Sequence, residues 1–206
     1  MPTPDHATTA DPPRTTGYAA RIFDFDGTLA DIADLNARAA RSALGKHGVH
    51  VSLAWVNAEP FTTMNAFRAR LHRDHQLTIA HSDHDLVLAA RTYWLTHTHL
   101  IRRIATAEAV ARWASTQGRI AVASANDGAV VRAGLEAAHL SDLFPVVIAR
   151  EDVSHVKPAP DAFLAAADRL GVPPHQCLVY ENTEEGIQAA NTAGMDVIDI
   201  RDAQWQ

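Results

Sequence analysis

From about residue 119 onward the chain alternates short apolar runs with helix-spaced ones, and no other feature restricts its fold as much. Residues 119–124, 144–149, 176–180 and 197–200 have the length and β-branched content of buried strands. The segments between them read as helices with recognisable ends. Asn126–Asp127 offers an N-cap for 129–138, and Gly171 closes 161–170. Thr183 can cap a helix that carries Glu184 and Glu185 in its first turn, where carboxylates favour the dipole, and Gly194 ends it. Strands separated by single helices form a parallel sheet covered by helices. Residues 18–25 form one more apolar run, ending in Asp24-Phe25-Asp26-Gly27, and read as a strand of the same sheet. The expected fold class is therefore α/β.

Residues 31–115 do not share this pattern. Ala33, Leu35, Ala39, Ala43 and Leu44 recur at helical spacing, with Gly45 and Gly48 ending the run and Pro60 marking a break. Further helical runs pass through Phe67 and Leu71, through 83–100 and through 107–114, and no strand is expected among them. This block reads as a helical cap inserted over the carboxyl edge of the sheet, where ligands of open α/β sheets bind. The implied division is a core domain of 18–30 and 116–206, a cap of 31–115, and a disordered tail of 1–17 that is rich in Pro, Thr, Asp and Ala.

The chain has 206 residues, enough for one core and a smaller subdomain. A net charge of -6 without a basic run argues against nucleic acid as a partner. No apolar stretch is long enough to span a membrane. Cys177, the only cysteine, lies beside Leu178 and Val179 and reads as a buried thiol rather than a reactive one. A cytoplasmic protein, monomeric or weakly dimeric, is expected.

Four short signals fall at strand ends, where a site would form. In Asp24-Phe25-Asp26-Gly27-Thr28, Gly27 supports a turn that lets both carboxylates face one place. One carboxylate can attack phosphorus, and the other can protonate the leaving oxygen and later activate water. Ser124 ends an apolar run just before a helix start, with Asn126 beside it, as suits a phosphate. Lys157 is one of only two lysines and sits in Val156-Lys157-Pro158-Ala159-Pro160-Asp161, where two prolines hold it ahead of a helix. A fixed cation there can offset charge in a phosphoryl-transfer transition state. Glu181-Asn182 follows the strand at 176–180 and supplies oxygen donors of the kind Mg²⁺ takes.

The set Phe23-Asp24-Phe25-Asp26-Gly27-Thr28-Leu29, Ser124, Lys157-Pro158-Ala159-Pro160-Asp161 and Glu181-Asn182 followed by Gly186-Ile187 and Ala193-Gly194-Met195 resembles the haloacid dehalogenase superfamily. Within it the chain is most similar to the β-phosphoglucomutase and fructose-1-phosphate phosphatase branch. The resemblance implies a Rossmann-like core with an inserted α-helical cap. It implies Asp24 as nucleophile, Asp26 as acid/base, and Ser124, Asn126 and Lys157 as phosphate-binding residues. It implies a Mg²⁺ cofactor held by Asp24, Asp26, Glu181 and Asn182. The second acid of the metal pair is the amide Asn182 here, which removes one charge. Asn36 lies near the cap histidine of mutases, and Asn65 near a cap arginine that grips a second phosphate. Asn36, Arg38, Asn65 and Arg68 are the candidate substrate contacts.

The function implied is Mg²⁺-dependent hydrolysis of a small phosphorylated metabolite, with a sugar phosphate expected, through an aspartyl-phosphate intermediate. A phosphomutase and a catalytically weak ligand-binding homologue remain open. His72 with His75, His81 with His84, and His97 with His99 have ligand-like spacings but read as exposed helix positions, and Trp55, Trp94 and Trp113 as packing anchors.

Overall fold

The computed structural model describes residues 16–58 and 64–202. Most of the expected tail and the break at Pro60 lie outside the described residues. The strands are β1 (Ala20–Phe23), β2 (Ala30–Asp31), β3 (Arg102–Arg103), β4 (Arg119–Ala123), β5 (Val146–Ile148), β6 (Cys177–Glu181) and β7 (Asp196–Asp199). The helices are α1 (Ala33–Lys46), α2 (Leu53–Ala58), α3 (Met64–His75), α4 (Asp83–Thr96), α5 (Ala105–Gln117), α6 (Gly128–Ala137), α7 (Asp161–Leu170) and α8 (Glu184–Thr192).

Five strands form one parallel sheet in the order β5-β4-β1-β6-β7. β1 is central and buried along its whole length, as an apolar strand covered on both faces must be. Side chains alternate between the faces. Ala20, Ile22, Ala121, Ala123, Cys177 and Val179 pack with Phe163 and Ala166 of α7 and Ala189 and Ala190 of α8. Phe23, Ile120, Val122, Leu178 and Tyr180 pack with Ala111 and Ala114 of α5 and Val130, Val131 and Leu135 of α6. Phe23 stacks on Tyr180 across the register, with centroids 4.6 Å apart. Arg21 points to the same face and lies over the Trp113 ring at 4.8 Å. The expected domain boundary between 115 and 116 falls within α5, and Ala111 and Ala114 of that helix pack in the sheet's own core.

The capping chemistry appears as the sequence implies. Asp127 accepts from the N–H groups of Ala129 and Val130, Gly171 adopts φ +65° after α7, and Thr183 accepts from Gly186 N–H. In the insert, α1 runs through Gly45 to Lys46, and the left-handed turn falls at Gly48, φ +76°. Leu44, Val49, Phe67, Leu71, Ile79 and Leu86 make a core of its own for α1, α3 and α4. The insert also contains strand, contrary to the expectation of helix alone. β2 and β3 pair antiparallel, Ala30 with Arg103 and Asp31 with Arg102, where the chain leaves the sheet and returns. Two-residue strands carry no periodicity, so no pattern announces them. Arg102 and Asp31 also pair at 2.7 Å.

Candidate active site

The carboxyl ends of three neighbouring strands bring the predicted residues together. Asp24 follows β1, Ser124 follows β4, and Glu181-Asn182 closes β6. Lys157 arrives from the loop between β5 and α7, just before a cis bond to Pro158. It is buried, and its Nζ lies 2.6 Å from Asp24 Oδ1 and 2.6 Å from Glu181 Oε1. The ammonium also lies over the Phe163 ring, 4.8 Å from Nζ to centroid. Burial alone would lower the Lys157 pKa, but the two carboxylates outweigh it and hold the ammonium above its usual range. Lys157 is therefore a fixed cation between two anions.

Asp26 lies beyond the end of β1. The turn that follows rests on Gly27, whose φ is +81° and whose N–H donates to Ala30 O at 2.8 Å. A Cβ at Gly27 would run into the Asn182 amide, so only glycine lets this turn sit against residue 182. Asn126 Nδ2 donates to Asp26 Oδ2 at 3.2 Å. The two aspartates share a strongly perturbed environment. Burial pushes Asp24 up to about 6, opposed by Lys157 and assisted by Glu181. Burial, and then the charge of Asp24, push Asp26 up to about 7, opposed by the Asn126 hydrogen bond. Both carboxyls are thus held well above the usual carboxylate range, by burial and by each other's charge.

Ser124 is buried. Its Oγ accepts from Asn126 N–H at 3.1 Å and keeps its own O–H to donate. Glu181, expected among the metal ligands, turns Oε1 to Lys157. Its Oε2 accepts from Asn182 N–H at 2.7 Å, Thr183 N–H at 2.8 Å and Thr183 Oγ1 at 2.9 Å. Among the described residues no three His, Cys, Asp or Glu side chains converge as a metal cluster, the paired cap histidines included. Asn182 sits against Gly27 of the turn that carries Asp26. Asn182 Oδ1 accepts from Thr28 Oγ1 at 3.3 Å.

The four candidate substrate contacts separate. Asn36 lines a large cavity between α1, α4 and the start of α6, and its Oδ1 accepts from Trp94 Nε1 at 2.9 Å. Arg38 points away and pairs with Asp34 one turn earlier, at 2.6 Å. Asn65 is exposed on α3, and neither it nor Arg68 is among the described residues lining that cavity. Arg68 is instead a clamp, bonded to Asp83 and to the carbonyls of Ile79 and His81, so its guanidinium is spent on joining α3 to α4. Two features have no sequence signal of the ordinary kind: the Thr28–Asn182 tether and the cavity itself. Trp55 bonds Asp74 and lies under Arg70, and Trp94 is buried at the cavity wall. Cys177 is buried, which lifts its thiol to about 11.

A family model described as haloacid dehalogenase-like hydrolase matches residues 18–194. The chain is similar to the fructose-1-phosphate phosphatase YqaB of Escherichia coli, 34% identical over 89% of this chain and 97% of that one. Its fold is similar to that of a HAD family hydrolase from Deinococcus radiodurans solved with bound phosphate and sodium, at TM-score 0.67 and 25% identity, covering 88% of this chain and 80% of that one. CbbY from Rhodobacter sphaeroides, solved in complex with phosphate, shares the fold at TM-score 0.72 and 24% identity, covering 88% and 85% of the two chains.

Proposed function

Because the chain belongs to the haloacid dehalogenase-like hydrolase family and is a hydrolytic enzyme, we propose that it hydrolyses small phosphate monoesters through an aspartyl-phosphate intermediate, with Mg²⁺ as cofactor. The observation that carries this reading is the buried Asp24–Lys157–Glu181 ion triad, with Asp26 two residues beyond the nucleophile. Similarity to a fructose-1-phosphate phosphatase makes a sugar phosphate the first ester to try.

An Asp24 carboxylate oxygen attacks phosphorus as the bond to the leaving oxygen breaks. Asp26 gives its proton to that oxygen. Asp26, now anionic, takes a proton from a water that attacks the phosphoryl group, and the Asp24–phosphorus bond breaks to release phosphate. Lys157 offsets the charge gathered at Asp24 and the phosphoryl oxygens, and Ser124 O–H donates to one of them. Asn126, bonded to Asp26, orients the acid. The donors Asp24, Asp26 and Asn182 are all oxygen, as Mg²⁺ prefers, and the crowded carboxylates favour a cation beside them. Bound there, Mg²⁺ would neutralise phosphoryl charge. Glu181 serves in this reading as the second arm that holds Lys157.

The test is Mg²⁺-dependent phosphate release from a panel of phosphate esters. Wild type releases phosphate and Asp24→Asn does not, while both unfold at comparable temperatures. An active Asp24→Asn variant removes the nucleophile assignment.

A further inference from the structure

The cavity next to this site has a character of its own. It measures about 630 Å³, within the range of small-molecule pockets. One wall is the inner face of α1, where Ala37 and Ala40 leave room; the opposite wall is Leu86, Ala90 and Trp94 of α4, and Phe67 and Val130 add to it. Polar side chains reach it at Asn36, Asn57, Arg91, Asn126 and Asp127, against a lining otherwise of apolar residues, and several of their atoms are already engaged. The Asn36 carbonyl is taken by Trp94, and Arg91 is paired with Asp127 at 3.3 Å. Asn126 lies in the cavity lining and also bonds Asp26, so the cavity opens beside the proton donor. The cavity is thus within one side chain of Asp26. A sugar would bring a hydroxyl on nearly every carbon to walls of Ala, Leu, Phe and Trp. Most of them would lose water without gaining a partner.

We propose that the cavity receives the leaving group of the phosphate ester, and that this leaving group is apolar over most of its surface, an aryl or branched-alkyl body rather than a polyhydroxylated sugar. The inference rests on the phosphatase reading and narrows its substrate class. It separates this chain from the substrate in its relative's name, since the walls and not the reactive edge make the choice.

The experiment compares kcat/KM for 2-naphthyl phosphate, fructose 1-phosphate and acetyl phosphate in wild type and in Ala40→Leu and Ala90→Leu. These two half-buried residues line opposite walls and take no part in the chemistry. Wild type is expected to favour naphthyl phosphate over fructose 1-phosphate by about tenfold or more. Each variant should lose about tenfold on naphthyl phosphate and keep its rate on acetyl phosphate, whose leaving group is too small to need the walls. Preference for the sugar phosphate, or an equal loss on all three esters, overturns the proposal. Failure of acetyl phosphate as well would strike the phosphatase reading itself. The cavity is then judged by thermal shift with naphthylmethylphosphonate: stabilisation of wild type that both variants lose supports the apolar site, and no stabilisation overturns it.

Discussion

The sheet's carboxyl edge and the helical insert both carry many charges, but they hold them differently. At the edge, Lys157, Asp24 and Glu181 are nearly dry, and their contacts are 2.6 Å. In the insert, Arg38–Asp34 and Arg68–Asp83 sit in water or at its margin. Buried ions interact strongly but are costly to leave unpaired, whereas exposed pairs contribute little. The edge is thus a place where each charge depends on its partner, as catalysis requires. The insert's charges solubilise and brace helices, and the cavity it walls is mostly apolar.

Substituting the shared cation should separate the two regions most sharply. Lys157→Met leaves Asp24 and Glu181 buried together without a counter-charge, and should destabilise the protein by about 3–5 kcal/mol in urea titrations. Turnover should fall on the order of 10²–10³-fold from the lost charge stabilisation. The sign with pH is fixed. Lys157 lowers the Asp24 pKa, so its removal lifts that pKa further above the usual carboxylate range. The folded variant then binds more protons than its unfolded chain, and its stability deficit widens as pH rises and narrows as pH falls. A deficit independent of pH would mean that Lys157 acts there by packing rather than by charge.

Gly186→Ala is next, and here two effects oppose each other. Within a helix alanine is favoured over glycine by at most about 1 kcal/mol, and Gly186 lies in the first turn of α8, where the gain is smaller. A Cβ at this position would strike the Glu181 carboxylate, which four donors hold in place. Overpacking of a fixed group costs about 1–3 kcal/mol, so the contact should win and the variant should be less stable, with reduced turnover as Lys157 loses its second arm. A stabilised, active Gly186→Ala would show that Glu181 moves freely and that the edge is less rigid than the comparison holds.

The two regions also differ in how much of them the sequence discloses. The edge is readable because strands and their ends leave local marks: apolar runs, then Asp24, Ser124, Lys157 and Asn182 at the turns. Periodicity, capping residues and glycines place them within a residue or two of the observed positions. The Glu181–Lys157 contact is not readable, since a carboxylate's type does not say which of its oxygens meets a lysine 24 residues earlier. The insert is readable as helix but not as architecture. The β2–β3 pair is too short for a pattern, and the duty of Arg68 depends on where the start of α4 lies. The cavity depends on how α1 and α4 approach each other, which alanine spacing on one helix cannot state.

Asn182→Asp tests whether the edge also gathers the metal. The exchange is nearly isosteric, and a carboxylate can still accept from Thr28 Oγ1, so the turn should keep its shape. It adds one negative charge to the oxygen donors. Mg²⁺ affinity measured by calorimetry should rise by about tenfold, with a parallel fall in the Mg²⁺ needed for half-maximal rate. Unchanged affinity would remove residue 182 from the ligand set and leave Asp24 and Asp26 to hold the ion with water.

The smallest effect is expected in the insert. Arg38→Met breaks an ion pair one helical turn long whose partners are both more than a third exposed. Such pairs contribute about 0.3–0.5 kcal/mol, and the methionine keeps helix propensity, so the melting curve should barely move. Phosphate release should stay the same too, because Arg38 points away from the cavity that Asn36 lines. The Arg38 result calibrates the Lys157 one: both replace a cation with methionine, one at an exposed helical pair and one between two buried carboxylates. A large activity loss in Arg38→Met with an unchanged melting curve would bring the insert's surface charge into contact with substrate. The contrast between a reactive, dry edge and a solvated insert would then fail at that point.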